Sequence, residues 1–113
     1  MNRITLTDSP NWFDADAAVG FDEATRWDGN NHISVATGSQ WDHERLYWTA
    51  SGNWVLNYWS QWEGRLESYS EVDEARAIEW LIRNQYAEKF TELDELPEAV
   101  RERVEAGYEA AEL

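Results

Sequence analysis

ERLYWTASGNWVLNYWSQW, residues 44–62, is the stretch in which local pattern, turn chemistry and burial demand agree. It carries four of the eight Trp and two of the five Tyr residues. Alternation on either side of Ser51-Gly52-Asn53 reads as a β-hairpin. A two-residue Ser51-Gly52 turn scatters apolar groups over both faces. A three-residue loop, Ser51 to Asn53, pairs Ala50 with Trp54, Trp48 with Leu56 and Leu46 with Tyr58, which gathers six apolar side chains on one face. Slipping by one residue turns that whole set over, so the uniform face selects the three-residue loop, with Asn53 in the left-handed position. Each buried Trp removes on the order of 200 Å² from water, which makes this face the main source of folding energy.

Outward from the hairpin, the remaining elements follow from period and punctuation. Arg3 to Thr7 alternates as a short strand, closed by Ser9-Pro10. Residues 11–19 read as one or two helical turns capped by Ser9. Phe21 to Trp27 and His32 to Thr37 read as strands about the Asp28-Gly29-Asn30-Asn31 turn. Glu63-Gly64 turns the chain, and Arg65 to Tyr69 supplies a further strand. From Ser70 the period becomes helical. Asp73 caps a helix over about 73–85, with Val72 and Ala77 as a hydrophobic staple. Pro97 and Glu98 suit the start of a second helix over about 97–111. Its stripe of Leu96, Val100, Val104, Tyr108 and Ala111 fits packing on its own domain, or a weak homodimer seam interrupted by Gly107. The expected fold is α+β, one domain over 1–113. An antiparallel meander of four to six strands spans about 3–69, one helix packs on a face, and a C-terminal amphipathic helix lies at an edge.

The 113 residues are 42% hydrophobic and 14% aromatic, enough for a core, and carry a formal net charge of −14. Lys occurs once, at Lys89, and Arg supplies the other positive charges. Such a field repels nucleic acid and anionic membranes and attracts basic protein surfaces; salt adaptation produces the same composition without a special partner. With no Cys, disulfides and thiolate zinc sites are excluded. The N-terminal residues lack the apolar core of a signal peptide and no apolar run is long enough to span a membrane, so a cytoplasmic location is expected.

The densest polar clusters are Asp28, Asn30, Asn31, His32 and Asp42, His43, Glu44. Asp28, His32, His43 and Glu44 form the candidate catalytic or metal-binding set of a small hydrolase, on condition that they converge in a cleft. No HExxH, nucleophile elbow or phosphate loop accompanies them, and turns favour Asp and Asn for backbone reasons alone. No metal set and no cofactor is therefore assigned. Arg45, Tyr47, Asn57 and Trp59 fall on the second face of the hairpin and Trp41 in the loop before it. That second face must be covered by the C-terminal helix or by a partner, which makes these five the candidate binding residues.

TRWDGNNHISVATGSQWDHERLYWTASGNWVLNYWSQWEG, with Tyr69 and the EARAIEWLIRN helix, resembles a group of small prokaryotic proteins sharing a W-[DN]-G-x-N-H-I-S…QW-x-H-E-x-LY…G-x-WVL-x-x-W-S-x-W run. The resemblance spans about half the chain and implies no particular activity. Members lie near mobile elements or look like small regulators, and some continue into a ribbon-helix-helix-type DNA-binding tail. This chain departs there, because its C-terminus is acidic and lacks a basic arm. It also has Trp48 where the group's LYRT form has Arg. The expectation from the residues is a non-catalytic acidic interaction module, antitoxin- or inhibitor-like, directed at a basic protein surface. The alternatives are the hydrolase or metal-binding domain, and a salt-adapted regulatory domain.

Overall fold

The computed structural model describes residues 1–62 and 64–113. The order is β1 (Arg3–Thr5), β2 (Trp12–Asp14), β3 (Val19–Asp22), β4 (Thr25–Trp27), β5 (His32–Ser34), β6 (Asp42–Trp48), β7 (Trp54–Ser60), β8 (Ser68–Val72), α1 (Glu74–Arg83) and α2 (Glu98–Ala110). Between the helices lie two 3-10 turns, Tyr86–Glu88 and Phe90–Leu93. The fold is α+β, with antiparallel strands throughout. The principal sheet runs β3-β6-β7-β8, while β1-β2 and β4-β5 form two separate ribbons. Of the turn read at Glu63-Gly64, Glu63 lies outside the described residues.

The hairpin forms, with its loop one residue earlier than the sequence reading placed it. Trp48 pairs with Trp54, Leu46 with Leu56 and Tyr47 with Val55. The Thr49 N–H donates to the Asn53 carbonyl, closing a three-residue loop over Ala50, Ser51 and Gly52. Gly52, at φ +84°, holds the left-handed position expected of Asn53. Without a Cβ it pays no steric penalty there. Asn53 instead donates its N–H to Thr49 Oγ1 at 3.0 Å. Both registers have the same parity, so the apolar face survives the correction.

That face is the core. Leu46 and Trp54 are buried against Ala77, Ile78, Trp80 and Leu81 of α1, with Trp48 and Leu56 packed alongside. Each fully buried large side chain contributes roughly 1.5–3 kcal/mol. Asp73 caps α1 by accepting the Arg76 N–H at 2.8 Å. Leu96, Val100 and Val104 of the C-terminal stripe are buried in the same core, so most of the stripe is spent within the chain. Gly107 is what permits the approach. A Cβ there would lie 2.6 Å from Ile82 Cδ1.

Part of the second face is covered by the N-terminal segment rather than by the C-terminal helix. The segment expected to be helical, 11–19, instead supplies β2 and the start of β3. Residues 3–14 form a ribbon that lays Leu6 and Phe13 on Tyr47 and Val55, with the Phe13 and Tyr47 rings 5.2 Å apart. Two aromatics in Trp12-Phe13 favour extended backbone, and pairing buries Phe13 opposite Ile4. The long strand read over Phe21–Trp27 breaks at Glu23-Ala24. There the Ala24 N–H donates to Asn84 Oδ1 at 2.9 Å, a buried contact across 60 residues. The next strand stops at Ser34, where the chain turns on a bond from the Gly38 N–H to the Ser34 carbonyl. The last strand begins at Ser68 rather than Arg65. Among the described residues no helix is long and apolar enough to cross a membrane.

Candidate functional site

The polar residues singled out in the sequence separate into two places. Asp28 sits at the tip of the β4–β5 ribbon, where its carboxylate accepts the N–H groups of Asn30 and Asn31 at 2.8 and 2.7 Å. Those amide donors hold it below the usual carboxylate range. His32 stays on the same exposed ribbon, edge-on to Trp27 at 5.0 Å. Neither is in the hydrogen-bonded cluster around His43 and Glu44. Among the described residues, Asp28 and His32 thus keep their contacts within the ribbon, while His43 and Glu44 make theirs elsewhere.

His43 and Glu44 instead meet Glu23, a residue the sequence reading did not select. Because β3 ends at Asp22, Glu23 leaves the strand and turns its carboxylate inward across β6. Oε1 accepts the Ser34 hydroxyl and the Glu44 N–H, and Oε2 accepts the His43 Nδ1–H, each at 2.7 Å. The Glu23 side chain is 10% exposed and that of His43 19%. One carboxylate thus ties together β3, the β4–β5 ribbon and β6. Glu44 points to the other layer and accepts the Trp80 indole N–H at 3.0 Å. Burial raises the Glu44 carboxyl above its ordinary value, opposed by that indole bond and Arg76 and reinforced by Glu23.

A carboxylate that fixes an imidazole tautomer is the arrangement of a general base or of a metal-bound His. Here, however, the His43 ring stacks on Trp59 at 5.5 Å, and its Nε2 is buried with no partner among the described residues. The Ser34 hydroxyl donates to the carboxylate and does not lie on the imidazole. Among the described residues no group of three or more His, Asp or Glu side chains is arranged to hold a metal ion. What the Glu23 carboxylate does in the structure is latch Ser34, His43 and Glu44 together.

The candidate binding residues also divide. Asn57 is buried, donating through Nδ2 to Glu67 Oε1 and the Ser68 carbonyl. Tyr47 is buried under the N-terminal ribbon. Arg45 lies flat over Gly20, where an added Cβ would meet its guanidinium at 2.6 Å. It pairs with Asp22 at 3.1 Å and donates to the Tyr47 hydroxyl at 3.3 Å. Trp41 and Trp59 remain at the far end of β6 and β7, where the Gln61 N–H donates to the Trp41 carbonyl. There Trp41 meets Trp62, also missed, with ring centroids 5.3 Å apart. These two are 41% and 54% exposed. Beside them Arg65 reaches Asp42 at 3.6 Å and the Tyr58 hydroxyl at 3.4 Å. The alternation that identified a second face could have found neither Glu23 nor Trp62, because both lie just past a strand end.

No family model matches the chain, and searches of curated proteins and of solved structures returned no significant match.

Proposed function

We propose that this chain is a non-catalytic acidic interaction module, antitoxin- or inhibitor-like, that docks on a basic protein surface through its exposed tryptophan ridge. The observation that carries the proposal is the Trp41–Trp62 pair, two large aromatics left in solvent on a chain of net charge −14. Large aromatics contribute disproportionately to interface energy when desolvated, and a negative field steers a basic partner towards them. Trp59, stacked on the latched His43, is held in place beside the ridge. The proposal carries with it a cytoplasmic location and no direct contact with nucleic acid.

The test is capture from the host's own extract at low salt on the immobilised protein, beside the Trp41→Ala/Trp62→Ala variant. The expected result is a basic protein retained by the wild type, lost from the variant, and released as salt rises. Retention of no basic protein, or equal retention by the variant, overturns the reading.

A further inference from the structure

We infer that the free edge of β3 accepts an extended, Lys- or Arg-rich peptide segment as a fifth strand of the principal sheet. The inference rests on the reading of the protein as an acidic module for a basic partner, and adds a second surface and a binding mode to it.

The phase of the edge follows from three hydrogen bonds. The Tyr86 hydroxyl donates to the Asp22 carbonyl at 2.7 Å, so that carbonyl points away from β6. The Glu44 N–H donates to the Glu23 side chain, which aims Glu44, and with it Leu46 and Trp48, towards β3. The Gln61 N–H donates to the Trp41 carbonyl, so the odd-numbered residues of β6 face β7. In an antiparallel ladder, narrow and wide pairs alternate. Phe21 with Leu46 and Val19 with Trp48 are therefore the bonded pairs, and Gly20 and Asp22 turn their backbone groups outward. Asp22 spends its carbonyl on Tyr86. Gly20 is exposed, and its N–H and carbonyl have no turn or loop partner among the described residues.

Those two groups open into a groove of about 510 Å³, whose lining includes Gly20, Phe21, Asp22, Tyr86, Glu92 and Glu95. Exposed strand edges are usually blunted or covered, because they pair with any strand of suitable chemistry. The opposite edge, β8, is partly covered: the Thr7 N–H donates to the Tyr69 carbonyl, and the Tyr69 N–H to Thr7 Oγ1. At β3 the wall is acidic instead. Asp22 is already paired with Arg45, so Glu92 and Glu95 on the facing wall are the carboxylates that repel a second copy of this acidic chain and favour a strand with cations on alternate residues. Main-chain bonds to Gly20 supply the pairing, and Glu92 and Glu95 supply the selection. Because Arg45 lies across one face of Gly20, the glycine keeps the backbone within reach while the guanidinium closes the sheet behind it.

The probe is an acetylated, amidated eight-residue peptide alternating Lys and Val, titrated into the 15N-labelled full chain. A saturable shift of the Gly20 amide, with slowed hydrogen exchange at that amide, is expected. Binding should fall by about tenfold or more for the fully N-methylated peptide, and for the Glu92→Gln/Glu95→Gln variant with the original peptide. Equal binding of the N-methylated peptide, or a Gly20 amide that does not move, overturns the inference. So does a shift accompanied by dimer formation in sedimentation, which would assign the edge to a second copy. A peptide that moves only the Trp41 and Trp62 indoles overturns strand addition and leaves the ridge reading intact. Failure of the capture experiment overturns the broader reading by itself.

Discussion

Replacing Glu23 by Ala removes the acceptor of three hydrogen bonds at once. The Ser34 hydroxyl, the Glu44 N–H and the His43 Nδ1–H each lose a carboxylate oxygen at 2.7 Å. Ser34 is completely buried, so its hydroxyl loses its acceptor in the interior. Bonds to charged groups contribute roughly 1.5–3 kcal/mol each. The sum overstates the loss, because removing Glu23 also removes its own desolvation cost and its repulsion of Glu44. A net loss of about 3 kcal/mol is expected, at the lower end of what breaking a buried pair costs. Glu23→Gln keeps Oε1 for Ser34 and Glu44. It presents an NH₂ group to His43, which can accept through Nδ1 after moving its hydrogen to Nε2. That variant should lose only about 1 kcal/mol. Urea unfolding at pH 7, followed by tryptophan fluorescence, separates the two. At a slope of about 2 kcal/mol/M, Glu23→Ala lowers the midpoint by roughly 1.5 M and Glu23→Gln by roughly 0.5 M. A Glu23→Ala midpoint within 0.5 M of wild type, by the same slope, would refute the latch, as would equal losses for the two variants.

Other expectations follow from close contacts and burial. Gly107→Ala drives a Cβ against Ile82 Cδ1. Overpacking of about 1–3 kcal/mol should outweigh the roughly 1 kcal/mol gained in helix propensity. In an Ile82→Val background, which lacks Cδ1, the same change should become stabilising, and thermal melts of the four proteins report the sign. Gly52→Ala, forced to φ +84°, should cost about 1–2 kcal/mol, and Gly52→Asn less, by urea midpoint. The raised Glu44 carboxyl means that the folded state binds its proton more tightly than the unfolded state. Its contribution is therefore most favourable below the unfolded value of 4.5, and declines as pH rises through the folded value. Glu44→Gln keeps the acceptor for Trp80 and should flatten that decline. An unchanged slope of stability between pH 4 and 7 would show that Glu44 is not its source.

The hairpin faces, α1 and α2 were legible because each rests on a period repeated over many residues. Parity alone assigned Leu46, Trp48, Trp54 and Leu56 to the core, whatever the exact loop. What parity cannot supply is the choice between Gly52 and Asn53 at the turn, a steric matter of one Cβ. The N-terminal ribbon was misread because Ser9-Pro10 suits a helix start as well as a hairpin turn. Only the need to bury Tyr47 and Val55 decides between them. The site was less legible still. Asp28 and His32 sit near His43 in composition, yet a separate ribbon keeps them on the surface. Glu23 acquires its role from where β3 stops, and there the chain is held by the bond from Ala24 to Asn84, 60 residues further on.

The β4–β5 ribbon interrupts the sheet between two strands that are neighbours in space, and this bears on how the chain reaches its native state. The β6–β7 hairpin and its junction with β8 close over short loops and can form early. Seating β3 against β6 must close a loop that carries the whole ribbon, and the bond just past the end of β3 waits for α1 to deliver Asn84. A chain paused at that stage would present β6, with Leu46 and Trp48, as its outermost strand. On that order of events, the inward turn of Glu23 would also close the interval in which that apolar strand is open to a second unfolded copy.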